Sequence, residues 1–242
     1  MLYCSGIISG KGGGNTETER KGFWGLVERL GIPVGPHLWL VLFWPGYVIV
    51  FFLVERLAVF DSYRVMYCPA DDLIPFCEYF ILPYIGWYLY LAWGSIHLLR
   101  RDIAAFRRMI WFMLLSFGAA FIAFLVWPSC QELRPEVFPR ENLCTWLVRR
   151  IYAADTSTNV SPSMHVLGVL GVVGAVWNAE GCRNLRTRLP VSLIGLLICA
   201  ATLFVKQHSL VDILTALPVS LAAGFLCFGL DLPNRWRKGK EK

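Results

Sequence analysis

Charge is scarce in this sequence. Asp, Glu, Lys and Arg make up 17% of the 242 residues, against about 25% in ordinary soluble domains. Mean hydropathy is +0.53. The shortage argues against a soluble globular domain, because the apolar residues come in long blocks rather than at scattered core positions. Eight cysteines are present, but they show no Cys-x-x-Cys pair and no metal-ligand spacing. Cys199 and Cys227 lie in apolar runs, where cysteine packs as a small hydrophobe. Cys68, Cys77, Cys130 and Cys144 fall near loops, with room for one or two disulfides whose pairing the sequence leaves open.

A cleavable leader pattern is also missing. Residues 1–35 hold a brief, weakly apolar segment and then Lys11-Gly12-Gly13-Gly14-Asn15, without an apolar core followed by a small-residue cleavage site. The first span is therefore expected to act as the targeting signal. The glycine run lacks the Gly-Lys-Ser/Thr ending of a nucleotide loop, so it reads as a flexible tail and no cofactor is expected. The net charge of +6 would suit nucleic acid. The basic residues, however, sit in short clusters between apolar runs, as membrane topology demands, and no nucleic-acid partner is expected.

What the chain does have is six apolar runs approaching the roughly 20 residues that cross a hydrocarbon core. They lie near Leu38–Val54, Phe76–Ile96, Met109–Trp127, Pro162–Asn178, Leu189–Val205 and Leu210–Leu230. The fourth is short and carries Gly168, Gly171 and Gly174, a spacing that lets helices approach closely in lipid. The expected fold is all-α: a polytopic membrane protein with six transmembrane helices. Its parts are a flexible cytoplasmic tail over 1–35, a membrane domain over 36–232 and a basic cytoplasmic tail over 233–242.

Alternate connections collect Lys11, Arg20, Lys21 and Arg29, then Arg100, Arg101, Arg107 and Arg108, then Arg183, Arg186 and Arg188. The end adds Arg235, Arg237, Lys238, Lys240 and Lys242, so 16 of the 23 basic residues share one side. The positive-inside bias puts both termini in the cytoplasm and the longer connections, 55–75 and 128–161, outside.

Two polar clusters then stand at the outer edge, Asn159 to His165 and Lys206 to Asp212. Ionisable residues beside membrane spans are costly and usually face a cavity. His208 and Asp212 lie at i and i+4, on one face of a helix. An aspartate there can hold one ring nitrogen and leave the other free to attack phosphorus. Pro162 sits where a helix can begin, Ser163 can cap it, and the free N–H groups of such a start favour an anion. His165 is then placed to protonate a leaving group. Arg134 and Lys206 supply candidate positive charge for phosphoryl oxygens. No metal-ligand set is present.

The chain resembles the type 2 phosphatidic acid phosphatase superfamily, in the branch that includes inositol-phosphorylceramide-synthase-like membrane proteins. The resemblance runs through Trp127-Pro128-Ser129 with Arg134-Pro135, then Asp155 to His165, then Lys206 to Asp212, over about residues 109–230. It implies a six-helix fold and metal-independent transfer through a phosphohistidine. By the same resemblance His208 is the nucleophile, Asp212 its orienter, His165 the general acid, and Ser163 and Arg134 phosphate ligands. The chain departs from the family pattern at Trp127, where a lysine is usual, and at Thr202, where an arginine is usual; Lys206 would replace that lost charge. The expected activity is hydrolysis of a membrane lipid phosphate at the outer face of the cell membrane. Headgroup transfer and non-catalytic binding or transport of lipid phosphate are the alternatives.

Overall fold

The computed structural model describes residues 31–57 and 59–235, together with Gly25 and Arg29. The chain divides into two compact units, Met1–Pro36 and His37–Lys242. Almost all of the tail expected over 1–35, and the basic tail from residue 236 onward, lie outside the described residues. The second unit holds all of the expected spans and site residues.

Among the described residues this unit has seven α-helices. The first four are α1 (Phe43–Leu57), introduced by a 3-10 segment from Pro36, then α2 (Ile81–Arg101), α3 (Ile103–Val126) and α4 (Leu143–Ala154). They are followed by α5 (Met164–Asn178), α6 (Leu185–Phe204) and α7 (Leu210–Gly224), which runs on through a π turn at Phe225–Gly229. Four helical segments among the described residues are long and apolar enough to cross a membrane: Pro36–Leu57, Ile103–Val126, Leu185–Phe204 and Leu210–Arg235. The other two expected spans are helical but fall outside that set. Helix α2 has 21 residues and ends on His97, Arg100 and Arg101, while α5 is apolar but only 15 residues long.

Local chemistry fixes where the helices begin. Asp102 caps α3, accepting from Ala105 N at 2.9 Å, so this helix starts six residues before the expected Met109 and absorbs Arg107 and Arg108. Asn142 caps α4, accepting from Thr145 N at 2.9 Å. Hydropathy gives no sign of this helix, because α4 is amphipathic and has no long apolar run. Its Val148 packs into a cluster with Ile81, Tyr84, Ala201 and Val205. Phe76 and Cys77, expected to open the second span, precede it: Cys77 N donates to Phe204 O, and the helix starts only at Ile81.

The bonds between helix ends define the topology. At one end Cys77 N meets Phe204 O, and Ser163 N donates to Asp212 O at 3.0 Å. The starts of α2, α5 and α7 and the finish of α6 thus gather there. A two-residue parallel ladder joins Arg64–Val65 (β1) to Ser129–Cys130 (β2), and Cys130 bridges to Thr158, which ties the long connections together at the same end. At the opposite end Glu180 N donates to Asp102 and Arg107 donates to Asn234.

Helix α5 is the centre, packed against α2, α3, α6 and α7. Its glycines permit this. A Cβ on Gly168 would lie 2.8 Å from the Trp87 ring, and one on Gly171 would lie 2.6 Å from Met113. Between helices in lipid, such close van der Waals packing replaces the hydrophobic driving force that water would supply.

Candidate functional site

His208 ends the short link after α6, and its ring is fixed before anything binds. Its Nδ1 lies 3.2 Å from Asp212 Oδ2, one helical turn on. A carboxylate can only accept, so Nδ1 donates, and in the neutral ring the lone pair is then on Nε2. The Asp212 side chain is fully buried, and the same oxygen accepts from Ser209 N at 2.9 Å.

His165 faces His208 from the first turn of α5. The two rings are 5.7 Å apart, centroid to centroid, and set edge to face. Tyr84 and Trp87 of α2 lie against His165 at 4.4 and 4.6 Å, and Trp87 Nε1 donates to the His165 carbonyl at 3.1 Å. His165 Nε2 is buried and has no partner among the described residues. Ser163 caps α5 without making the usual side-chain bond, and its Oγ is likewise buried and unpartnered.

His208, His165 and Trp87 border a cavity of about 40 Å³, which Asp212, Tyr84 and Ser163 do not line. Tyr47 and Phe51 of α1 and Trp87 and Tyr88 of α2 form an aromatic wall. Asp155, Thr156, Thr158, Asn159 and Gln207 form a polar wall, and both histidines reach in. Two larger grooves, of about 620 and 590 Å³, lie elsewhere and are lined by none of the expected site residues. They are mostly apolar faces of α2 with α6 and of α3 with the end of the last helix, so size alone does not mark the chemistry here.

Arg134 and Lys206 occupy structural positions. Arg134 donates through Nη1 to Tyr152 O and through Nη2 to Asp155 O, Thr156 O and Gln207 Oε1, at 2.5 to 3.2 Å. Its guanidinium also lies 4.4 Å over the Tyr152 ring. It knots α4, the 155–159 loop and Gln207 together instead of pointing a free fork at the cavity. Lys206 donates to Asp71 O at 2.8 Å, and burial lowers its pKa. Neither residue lines the cavity.

Trp127 and Thr202 have local partners. Arg64 lies 3.9 Å over the ring of Trp127, bringing a positive charge beside it. Thr202 is fully buried, and its carbonyl accepts from both Gln207 N and His208 N, closing the turn that carries the nucleophile candidate.

Three further residues were not among the expected site residues, although Asn159 opens one of the two polar clusters. Asp71 sits at the N-terminus of α7, accepting from Ser209 Oγ at 2.6 Å and from Leu210 N at 2.8 Å. Burial alone would push its carboxyl up, but the bonds from Leu210, Ser209 and Cys68 hold it below its ordinary value. Glu55, 7% exposed on α1, accepts from the Thr156 N–H at 2.8 Å and from the Thr156 hydroxyl. Asn159 borders the cavity with an unpartnered amide. All three are far along the chain from Asp212 and have no helical spacing to it, so only the fold could bring them in.

Asp155 adds a titratable group. Burial first, and then the nearby Glu55, push its carboxyl up to about 6, while Tyr84 donates to its Oδ2 at 3.2 Å. The cysteines at 68, 77, 130 and 144 are free thiols and make no disulfide. Among the described residues no cluster of three His, Cys, Asp or Glu side chains is arranged to hold a metal ion. Compared with protein-family models, curated proteins and solved structures, the chain matches none, so a functional reading rests on its own residues and geometry.

Proposed function

We propose that this protein is a membrane lipid-phosphate phosphatase that works through a phosphohistidine. The observation that carries the reading is the pair of histidines. Asp212 holds His208 Nδ1, and His208 faces His165 at the start of α5, both rings lining one cavity.

In the first step His208 Nε2 attacks phosphorus and the bond from phosphorus to the lipid oxygen breaks. That oxygen takes a proton from His165, and Asp212 stabilises the positive charge on the phosphorylated ring. In the second step His165 takes a proton from water, the water oxygen attacks phosphorus, and the bond to His208 breaks to free phosphate. His165 needs its proton in the first step, and the negative charge of the substrate favours that state.

The reading includes all six apolar helices crossing the membrane, both termini in the cytoplasm and the site at the outer face of the cell membrane. The basic clusters at alternate connections support that orientation. Two helices fall outside the length or hydropathy of a standard span. Central α5 is largely enclosed by its neighbours, which removes its need to match the lipid thickness alone. Transfer to an alcohol is the second reading, because a hydroxyl can replace water in resolving the phosphohistidine beside the polar wall of Thr156, Thr158 and Gln207.

The test is phosphate release from a panel of lipid mono- and diphosphates by purified wild type and His208→Ala, in detergent with EDTA. Release by the wild type alone supports the reading. Equal rates for both proteins, or loss of wild-type activity in EDTA that metal restores, would sink it. Silence from both proteins, followed by headgroup transfer when an alcohol is supplied, selects the second reading.

A further inference from the structure

We propose that Asn159 is a phosphoryl-oxygen ligand, forming with the start of α5, where Met164 and His165 line the cavity, a cradle for an oxyanion beside the two histidines. The inference rests on the phosphatase reading and deepens it, by assigning the anion contacts to residues other than Arg134 and Lys206.

Three observations converge. Asn159 is 9% exposed, lines the cavity, and neither Nδ2 nor Oδ1 has a partner among the described residues. Buried amides are normally satisfied, so an unpartnered one beside a cavity is available to a group that enters it. Its placement is built: Asn159 has φ +56°, a region where asparagine is favoured among residues with a side chain. Its N–H donates to Ser129 O at 2.7 Å, and Gln131 N donates to Ser157 O at 2.9 Å just before it.

The second observation is Ser163, fully buried behind the cavity lining, with an idle Oγ where a capping bond would normally form. The leading N–H groups of α5 therefore lack a side-chain cap from this residue. The third is what fills the other helix start. At α7, Asp71 and Asp212 accept from Leu210 N and Ser209 N, so that terminus is occupied by the protein's own carboxylates. The cavity is lined by no described lysine or arginine and by one carboxyl, Asp155, so neutral donors and the histidines must bind an anion there. Such preorganised donors stabilise developing charge without reorganising at the moment of reaction.

Calorimetric binding of inorganic phosphate and of orthovanadate to the full chain, in detergent with EDTA, tests this. Asn159→Gly keeps the left-handed backbone and deletes the amide; it is expected to weaken both anions about ten- to a hundredfold, the effect of one hydrogen bond to a charged group. Asn159→Asp keeps the shape and should weaken them further by repulsion. An amide without a partner contributes nothing to the empty fold, so Asn159→Gly should melt no lower than wild type. Wild-type affinity in both variants, a clear fall in the melting temperature of Asn159→Gly, or no anion binding by the wild type would each overturn the assignment. Turnover on the same preparations judges the phosphatase reading separately. A wild type that binds vanadate through Asn159 but releases no phosphate sinks that reading and leaves the anion site standing.

Discussion

One carboxylate oxygen sets the state of the proposed nucleophile. Asp212 Oδ2 accepts from the His208 ring N–H and from the Ser209 N–H, which fixes the ring against the start of α7. His208→Ala should therefore abolish turnover. Asp212→Asn keeps an acceptor oxygen but loses the charge that supports the imidazolium. It should lower kcat by about 10²- to 10⁴-fold and leave a measurable residue. Small, equal losses in both variants would contradict the division of roles. Asp155 offers a pH test of a different kind. Its carboxyl is raised from 3.8 to about 6, so the folded chain holds this proton more tightly than the unfolded chain. Its contribution to stability is present at low pH and is lost as pH rises from about 4 through 6. Thermal melts across that window should be flatter for Asp155→Asn; a profile parallel to wild type would refute the buried, strained carboxylate. The His208–Asp212 pair was legible in the sequence from its spacing, although His208 precedes α7, which starts at Leu210, and does not share its face. Glu55 and Asp71 were not, since their partners lie far along the chain and only tertiary packing supplies them; Asn159 stood in a visible polar cluster, but its place at the cavity needed the fold.

Helix α5 shows how an element can serve the chemistry through packing. Gly168 lets the Trp87 ring lie against the helix, and Trp87 in turn stacks on His165 and holds its carbonyl. Gly168→Ala places a methyl 2.8 Å from that ring, too close for any real contact. The expected result is a loss of about 1–3 kcal/mol in stability and a kcat that falls more than the bound lipid's KM rises, measured by denaturation in micelles and by steady-state kinetics. An unchanged kcat would mean that His165 does not depend on this wall. The glycine spacing was visible as a packing signal, but the identity of its aromatic partner was not. Helix α4 was invisible for the opposite reason: it lies within a polar connection, where Asn142 and Val148 matter more than hydropathy. Helix α1 is tied to the site through Glu55 and the Tyr47–Phe51 wall. Glu55→Gln should keep the fold while weakening that tie, seen as faster hydrogen exchange at Thr156; unchanged exchange there would show that the carboxylate charge does not hold the loop.

For the molecule as a whole, the relevant solvent is lipid. The membrane-compatible helices and the clustering of basic residues at alternate connections were readable from hydropathy and charge, because both are set by composition over long windows. The end-to-end bonding that gathers the starts of α2, α5 and α7 was not, because it depends on single carbonyls and amides. Helix α5 has 15 residues, about 22 Å at 1.5 Å per residue, some 8 Å short of a typical hydrocarbon core. On the proposed topology His165 stands at its first turn, so the reacting bond lies in a depression below the plane of the headgroups whenever the bilayer is of ordinary thickness. A lipid must then sink its phosphate toward the protein, or the bilayer must thin around it, at a cost that grows with each ångström of mismatch. Reconstituted activity should consequently rise as acyl chains shorten, making bilayer thickness a rate-setting variable for the proposed reaction as much as substrate identity.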